Sequence, residues 1–269
     1  MYTHNLDPVL FSFGFLSIRW YSLSYVFGIL IGWWLGKKII NHILKISNLK
    51  FRIKDFDDLI TYIIASIIIG GRLGYVIFYN PGYYISHPAE ILKVWEGGMS
   101  FHGALIGIII GTYLFSSKKI VPVFLMLDII ACVSPIGIFL GRLANFINGE
   151  LIGKVTTVPW SVIFPAFDKL ARHQSQIYEA VLEGIILFFI LNKMIFRKIY
   201  NMGACSCLFL IFYGVFRIIS EFFREPDVQL GYIFNLLSMG SILSLFMIFA
   251  GLLILNTLRK KNENKQNIF

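Results

Sequence analysis

Charge is scarce in this chain. Only 14% of its 269 residues are charged, against 57% that are hydrophobic, and the mean hydropathy is +0.73. A soluble domain has no use for so much apolar side chain, so the composition points to a polytopic membrane protein. Cysteine is also sparse. Cys132, Cys205 and Cys207 all fall in apolar runs, which excludes a disulfide framework, and Cys205-Ser206-Cys207 lacks metal-ligand spacing. Buried, inert thiols are the expectation. Glycine-rich phosphate loops, HExxH zinc motifs and GxSxG elbows are missing. No metal or cofactor is therefore expected, and any chemistry must run on positioned side chains and a reactive substrate. The N-terminus carries His4 and Asp7 but no basic residue before Arg19, so it does not read as a signal peptide. The net charge of +9 is read as loops facing anionic lipid, not as a nucleic-acid surface.

The apolar residues come in long runs. A span needs about 20 of them to cross roughly 30 Å of hydrocarbon. Seven segments qualify: 17–36, 58–79, 99–117, 121–141, 177–196, 203–223 and 233–257. Residues 8–16 are too short to cross and are expected in the interface. Asp128, Pro135 and Gly137 predict a kink in the fourth span. Basic residues cluster in alternate connections. Lys37, Lys38, Lys45, Lys50, Arg52 and Lys54 follow the first span, and Lys118 and Lys119 follow the third. Lys193, Arg197 and Lys198 end the fifth, and Arg259, Lys260, Lys261 and Lys265 follow the seventh. The opposite connections hold only Lys93, Lys154, Lys169 and Arg172 besides Arg19. Basic loops stay cytoplasmic, which places the N-terminus outside and the C-terminus inside. The fold expected is an all-α polytopic membrane protein, one integral domain over 1–269 with seven transmembrane helices. A small external cap is expected at roughly 142–176, and a short disordered cytoplasmic tail at 259–269.

Against this background the polar residues near the outer ends of the spans stand out. Gly141-Arg142-Leu143-Ala144-Asn145-Phe146-Ile147-Asn148-Gly149-Glu150-Leu151-Ile152-Gly153 sets an arginine, two asparagines and a glutamate at the end of an apolar run. Such groups are expensive at membrane depth and are kept for function. Arg142 and Asn145 share a face if the helix continues, and an arginine fork suits a phosphate or carboxylate. Tyr213, Arg217, Glu221 and Arg224 are spaced to share one face of the sixth span. They read either as a self-neutralising Arg–Glu ladder or as an outward-facing basic pocket for an anion. Two arginines against one glutamate favour the pocket, unless Glu225 or Asp227 supplies the balance. His102 follows Gly97-Gly98 into the first turn of the third span and reads either as a structural histidine near the interface or as an imidazole that takes or gives a proton near neutral pH, as a thiol nucleophile would need. Arg72, in Gly70-Gly71-Arg72-Leu73-Gly74-Tyr75, reads equally as a ligand group or as a snorkelling side chain among small packing residues. The stretch from Arg172 to Glu179, with Glu183 one turn on, either contacts a substrate or anchors the cap.

These motifs carry a resemblance. The chain is similar to the bacterial prolipoprotein diacylglyceryl transferases over essentially its whole length. The matching stretches, in the family's order, are Ile18–Tyr21, Gly71–Tyr75, Gly97–Gly103, Gly141–Gly153, Arg172–Glu179 and Tyr213–Asp227. Ala104 stands where the family usually has the second glycine after the histidine, and Ala144 replaces a glycine of the signature. Both are single-methyl changes and are expected to be tolerated. The resemblance implies transfer of the sn-1,2-diacylglyceryl group of phosphatidylglycerol to the lipobox cysteine of a prolipoprotein. Its products are a thioether and glycerol 1-phosphate. The family's important residues fall here on Tyr21, His102, Arg142, Asn145, Glu150, Gly153, Tyr213, Arg217 and Glu221. In this reading Arg142 and Arg217 bind the phosphodiester and stabilise the departing phosphate. His102 or a base near it deprotonates the thiol. Asn145, Glu150 and Tyr213 orient the head group or the arginines, and Tyr21, Gly153, Glu221 and Arg72 complete the lipid site. The implied partners are phosphatidylglycerol and signal peptides with a lipobox cysteine, in the bacterial inner membrane. The runner-up, a transporter for an organic anion, calls for polar groups through the full membrane depth or an internal repeat. Neither is visible in the sequence. A structural scaffold leaves the arginine, asparagine and histidine set unexplained.

Overall fold

A computed structural model describes residues 2–14, 16–47, 49, 51–79, 81–197, 201–225, 232–233 and 237–266. The chain divides into two compact units, one of Met1–Ile39 with Asp128–Phe269 and the other of Ile40–Leu127.

In chain order, β1 (Tyr2–Thr3) is followed by a hairpin of β2 (Val9–Phe13) and β3 (Leu16–Arg19), and then by α1 (Trp20–Ile46). The apolar segment expected at the interface is thus largely hairpin. Next come α2 (Asp55–Phe78), the short α3 (Pro81–Ser86), two 3₁₀ turns over Pro88–Leu92 and Val94–Glu96, and α4 (Phe101–Lys119). The helix α5 (Val123–Asn148) leads to β4 (Val162–Ile163) and β5 (Ala171–Arg172). The strand β4 pairs parallel with β1 and antiparallel with β5. Then α6 (Ser175–Glu179) passes into a π-helical stretch, Ala180–Ile186, which continues as α7 (Leu187–Ile195). The chain closes with α8 (Ala204–Glu221), a two-residue pairing of β6 (Tyr232–Ile233) with β7 (Leu237–Ser238), and α9 (Met239–Gln266).

Among the described residues, five helical segments are long and apolar enough to cross a membrane: Trp20–Ile46, Asp55–Phe78, Val123–Asn148, Ala204–Glu221 and Gly240–Lys261. The remaining two expected spans fall on α4, whose last residues Ser116-Ser117-Lys118-Lys119 shorten its apolar run, and on the composite of α6, the π-helical stretch and α7. Many of the large side chains on these helices face outward. Phe246 and Phe249 on α9 are 68% and 62% exposed, and Tyr25, Val26, Phe27 and Leu30 on α1 are exposed as well. Apolar surface this continuous is unfavourable in water and suited to lipid. The chain is a multi-pass membrane protein.

Without a hydrophobic drive between helices in lipid, packing relies on small residues and polar ties. In the Ile40–Leu127 unit, α2 meets α4 through glycines: a Cβ added at Gly74 would stand 2.6 Å from Gly103 Cα. In the larger unit, α8 meets α9 at Gly214, where a Cβ would lie 2.7 Å from the Ile248 side chain. The wholly buried Asp128 of α5 accepts hydrogen bonds from Gly203 N (2.6 Å), Ser206 N (2.6 Å) and Ser206 Oγ, so it caps α8 from a neighbouring helix. All three cysteines are free and buried.

The helix α5 runs unbroken through Pro135 as far as Asn148. The first residues of the 142–176 segment therefore belong to this helix. The remainder is tied by Val162, Phe164 and Ile152 packed with Phe146, while the His4 ring lies against Phe146 and Phe164. At the other end α9 runs to Gln266.

Candidate functional site

The extension of α5 puts Arg142 and Asn145 on one helical face, as their spacing required. Arg142 is met by the helix that follows the cap. Its Nε lies 2.9 Å from Glu179 Oε2, and its Nη2 lies 3.3 Å from Glu183 Oε2. On α8, Arg217 Nη1 reaches Glu179 Oε1 at 2.6 Å while its Nη2 pairs with Glu221, one turn on. Arg224 Nη1 joins the same Glu179 oxygen at 3.1 Å. One carboxylate thus holds three guanidinium groups. Two readings of the sequence change here. Glu179 and Glu183 neutralise the arginines, with Glu221, and not Glu225, which pairs with Arg172 at 3.0 Å; Asp227 lies outside the described residues. The excess positive charge inferred from α8 alone is absent once the neighbouring helix is counted.

Balance in number does not make the cluster featureless. The side chains of Glu179 and Glu183 are 0% exposed, whereas those of Arg142 and Arg217 retain 17% and 13%. The exposed edge of the cluster is thus guanidinium before Glu179 and Glu183, beside Glu221 at 10%. Such an arrangement has the chemistry to receive an anion, with its forks held rigid in a largely buried place. Tyr213, one turn before Arg217, is buried and stacks on Phe209. Tyr21 of α1 accepts a hydrogen bond from Tyr25 at 3.1 Å, and Tyr25 lies within electrostatic range of Arg142 and Glu150.

Beyond α5 the signature turns back on itself. Glu150 accepts from Asn145 Nδ2 at 3.1 Å and from Asn148 Nδ2 at 3.2 Å. Gln176 Nε2 donates to the Glu150 carbonyl, and Ser175 Oγ to that of Leu151, at 2.8 Å. Gly153 is a matter of space. Its N–H donates to the His173 carbonyl, and a Cβ would stand 2.7 Å from the Phe223 carbonyl oxygen and 2.6 Å from the His173 side chain. Arg172 ties the same region, donating to Gly153 O at 2.9 Å and gripping Asp168. That guanidinium holds the Asp168 carboxyl below the usual carboxylate range, and burial lowers the pKa of the adjacent His173. The Arg172–Glu179 stretch therefore divides: Arg172 ties the segment after Asn148 to itself through Gly153 and Asp168, and Glu179 joins the arginine cluster.

In the Ile40–Leu127 unit Arg72 is 5% exposed and embraced by backbone. Its Nε donates to Ile91 O (2.9 Å), Nη2 to Glu90 O (2.6 Å), and Nη1 to Gly97 O (2.6 Å) and Gly98 O (3.2 Å), with the guanidinium 5.2 Å from the Tyr84 ring. Gly98 has φ +75°, and a Cβ there would meet Arg72 Nη1 and Tyr75 at 2.7 Å. The turn then delivers Ser100, whose N–H bonds Gly71 O at 2.8 Å and whose Oγ caps α4 through Gly103 N. His102 follows as the second residue of α4; its side chain lies outside the described residues.

Sequence reasoning left Glu179 and Glu183 between substrate contact and anchoring, and did not foresee that they pair with the arginines. The signals present were the matching stretch that ends at Glu179 and a spacing of four residues, the same cue that had drawn attention to Arg217 and Glu221.

Comparison with known proteins agrees with the motif pattern. The family model for prolipoprotein diacylglyceryl transferase matches residues 8–257. A phosphatidylglycerol–prolipoprotein diacylglyceryl transferase of Rickettsia typhi is 52% identical over 259 residues, covering 96% of this chain and 98% of the relative. Those of Rickettsia bellii and Wolbachia pipientis are 51% and 49% identical, over 93% of this chain in each case and 95% and 94% of the relatives. With arginine, asparagine and glutamate positioned along the very stretches that carry the resemblance, the chain belongs to the prolipoprotein diacylglyceryl transferase family.

Proposed function

We propose that this protein transfers the sn-1,2-diacylglyceryl group from phosphatidylglycerol to the lipobox cysteine thiol of prolipoproteins, forming a thioether and releasing glycerol 1-phosphate. The observation that carries the reading is identity of about half the residues, over nearly the whole chain, with relatives that bear this activity as their name. The geometry supports it through the guanidinium groups of Arg142 and Arg217, the exposed side of an otherwise buried charge cluster. The lipid phosphodiester is a monoanion and pairs with these forks. When sulfur attacks the glycerol carbon, the carbon–oxygen bond to phosphate breaks and its electron pair stays on the phosphate. Arginines already fixed in place stabilise that charge without reorganising. His102, at the capped start of α4, takes the thiol proton, because the thiolate is the nucleophile. Asn145, Glu150 and Tyr213 orient the head group or the arginines. Tyr21, Gly153 and Glu221 complete the lipid site, with Arg72 shaping the turn that leads to His102.

The substrates are a two-tailed lipid and a membrane-embedded signal peptide, so the protein works within the bacterial inner membrane. The basic connections favour an external N-terminus and a cytoplasmic C-terminus. Seven spans are reached by adding α4 and the composite of α6, the π-helical stretch and α7 to the five longer helices. The segment after Asn148, up to about residue 176, then forms an external cap on a single membrane domain.

The test is incubation of the purified protein with phosphatidylglycerol and a lipobox peptide. A diacylglyceryl mass gain on the peptide with release of glycerol phosphate, both lost in Arg142→Ala, is the expected result. No mass gain from folded, lipid-supplied protein would reject the transferase reading. Near-normal turnover of His102→Gln at neutral pH would remove the base role from His102.

A further inference from the structure

Glu183 differs from the other carboxylates of the cluster. It is 0% exposed, its Oε2 makes the 3.3 Å contact to Arg142, and its Oε1 is buried with no hydrogen-bond partner among the described residues. Glu179, by contrast, holds its three arginines at 2.6, 2.9 and 3.1 Å. A buried carboxylate oxygen left without a donor is costly, and such an atom is kept where a ligand supplies the donor. The backbone carrying it is also unusual. Glu183 lies within the π-helical stretch Ala180–Ile186, a local departure that recurs at functional sites. Its neighbour Gly184 is pressed against α5, where a Cβ would stand 2.7 Å from Phe139 Cβ, so the turn is fixed against the helix that bears Arg142.

We propose that Glu183 is a specificity-determining residue whose free carboxylate oxygen accepts a hydrogen bond from the glycerol head group of phosphatidylglycerol. This rests on the reading that Arg142 holds the lipid phosphate. The contact between Arg142 and Glu183 is the long one. When the phosphodiester arrives, the Arg142 Nη2 group turns to it while Nε stays on Glu179, and the Glu183 carboxylate is uncovered. The head-group hydroxyls lie two and three carbons from the phosphate oxygen, within reach of a carboxylate that had been touching the same guanidinium. A hydroxyl donating to a carboxylate is a charge-assisted bond, so the site distinguishes a polyol head group from an alkyl one of equal charge.

The experiment compares phosphatidylglycerol with phosphatidylpropanol, which keeps the phosphodiester and lacks both head-group hydroxyls. Transfer to a lipobox peptide is followed by mass in mixed micelles, for wild type, Glu183→Gln and Glu183→Met. Wild type is expected to favour phosphatidylglycerol in kcat/KM by roughly 10- to 100-fold, the range of a hydrogen bond to a charged group. Glu183→Met should bring the two lipids to near parity, and Glu183→Gln, which keeps a neutral acceptor, should fall between. A role confined to holding Arg142 would lower both lipids alike and leave their ratio untouched. That result overturns the proposal, as does a wild-type ratio near one. If Glu183→Met fails to fold, the Glu183→Gln ratio decides: unchanged from wild type, it overturns the proposal. Absence of transfer by wild type with phosphatidylglycerol would instead reject the transferase reading itself.

Discussion

Replacing Glu179 with glutamine tests the arginine cluster at its centre. The substitution preserves size and removes one charge. One face of the carboxylate meets Arg142 at 2.9 Å, and the other meets Arg217 and Arg224 at 2.6 and 3.1 Å. A glutamine must turn its NH₂ group to one of these faces, so whichever way the amide lies, donor faces donor. The wild-type site balances Arg142, Arg217 and Arg224 with Glu179, Glu183 and Glu221, and the variant carries an uncompensated positive charge in a largely buried place where screening is weak. Breaking a buried pair by removing one partner typically costs about 3–5 kcal/mol. Part of this appears as lost stability and part as misplaced arginines. Since each 1.36 kcal/mol is about tenfold in rate, kcat/KM for diacylglyceryl transfer should fall by about 100-fold or more. Glu179→Asp keeps the charge on a shorter stem and should be intermediate. Glu225→Gln provides the contrast. That residue also contacts an arginine, Arg172 at 3.0 Å, but its side chain is 43% exposed. An exposed pair is worth about 1 kcal/mol or less, so activity should stay within a few-fold of wild type. The assays are peptide mass for activity and thermal unfolding in detergent for stability. Wild-type activity and midpoint in Glu179→Gln would refute the argument that this carboxylate organises the site.

Two further outcomes follow from the loops. Arg72→Lys removes the fork that gathers the carbonyls of Glu90, Ile91, Gly97 and Gly98, and an ammonium cannot reach them all. It should reduce kcat more than KM, through the turn that precedes His102. Gly98→Ala, strained at φ +75° and in contact with Arg72, should reproduce that pattern; KM rising alone in both would point to lipid binding at Arg72 instead. The second outcome concerns acid. Because Arg172 holds Asp168 below the ordinary carboxylate range, the folded 149–174 segment binds fewer protons than the unfolded one in that window. The stabilisation is complete above the ordinary value near pH 3.9 and is lost as pH falls through the depressed one. Limited proteolysis of the 149–174 segment should accelerate on acidification in wild type, and Asp168→Asn should abolish the pH dependence while leaving the segment more susceptible at neutral pH.

The sequence by itself determined the membrane class, the positions of the apolar helices and the family. Hydropathy is a local property, set by which residues follow one another, and the family motifs are contiguous stretches. It also located Arg142, Asn145 and Arg217, since a polar side chain at membrane depth is conspicuous without knowledge of its neighbours. Only the tertiary structure decided what those residues meet. The carboxylates of Glu179 and Glu183 that meet Arg142, Arg217 and Arg224 lie 37 to 45 residues away in the chain, and the charge that seemed to be in excess on α8 is neutralised from another helix. The donors of Arg72 end on backbone carbonyls, which every residue possesses and no motif marks. The π-helical turn that carries Glu183 has no compositional signal either, and the close approach of Gly184 to Phe139 is visible only in the packed structure. Pairing energies depend on distance and burial in space, and those are fixed only when the helices pack.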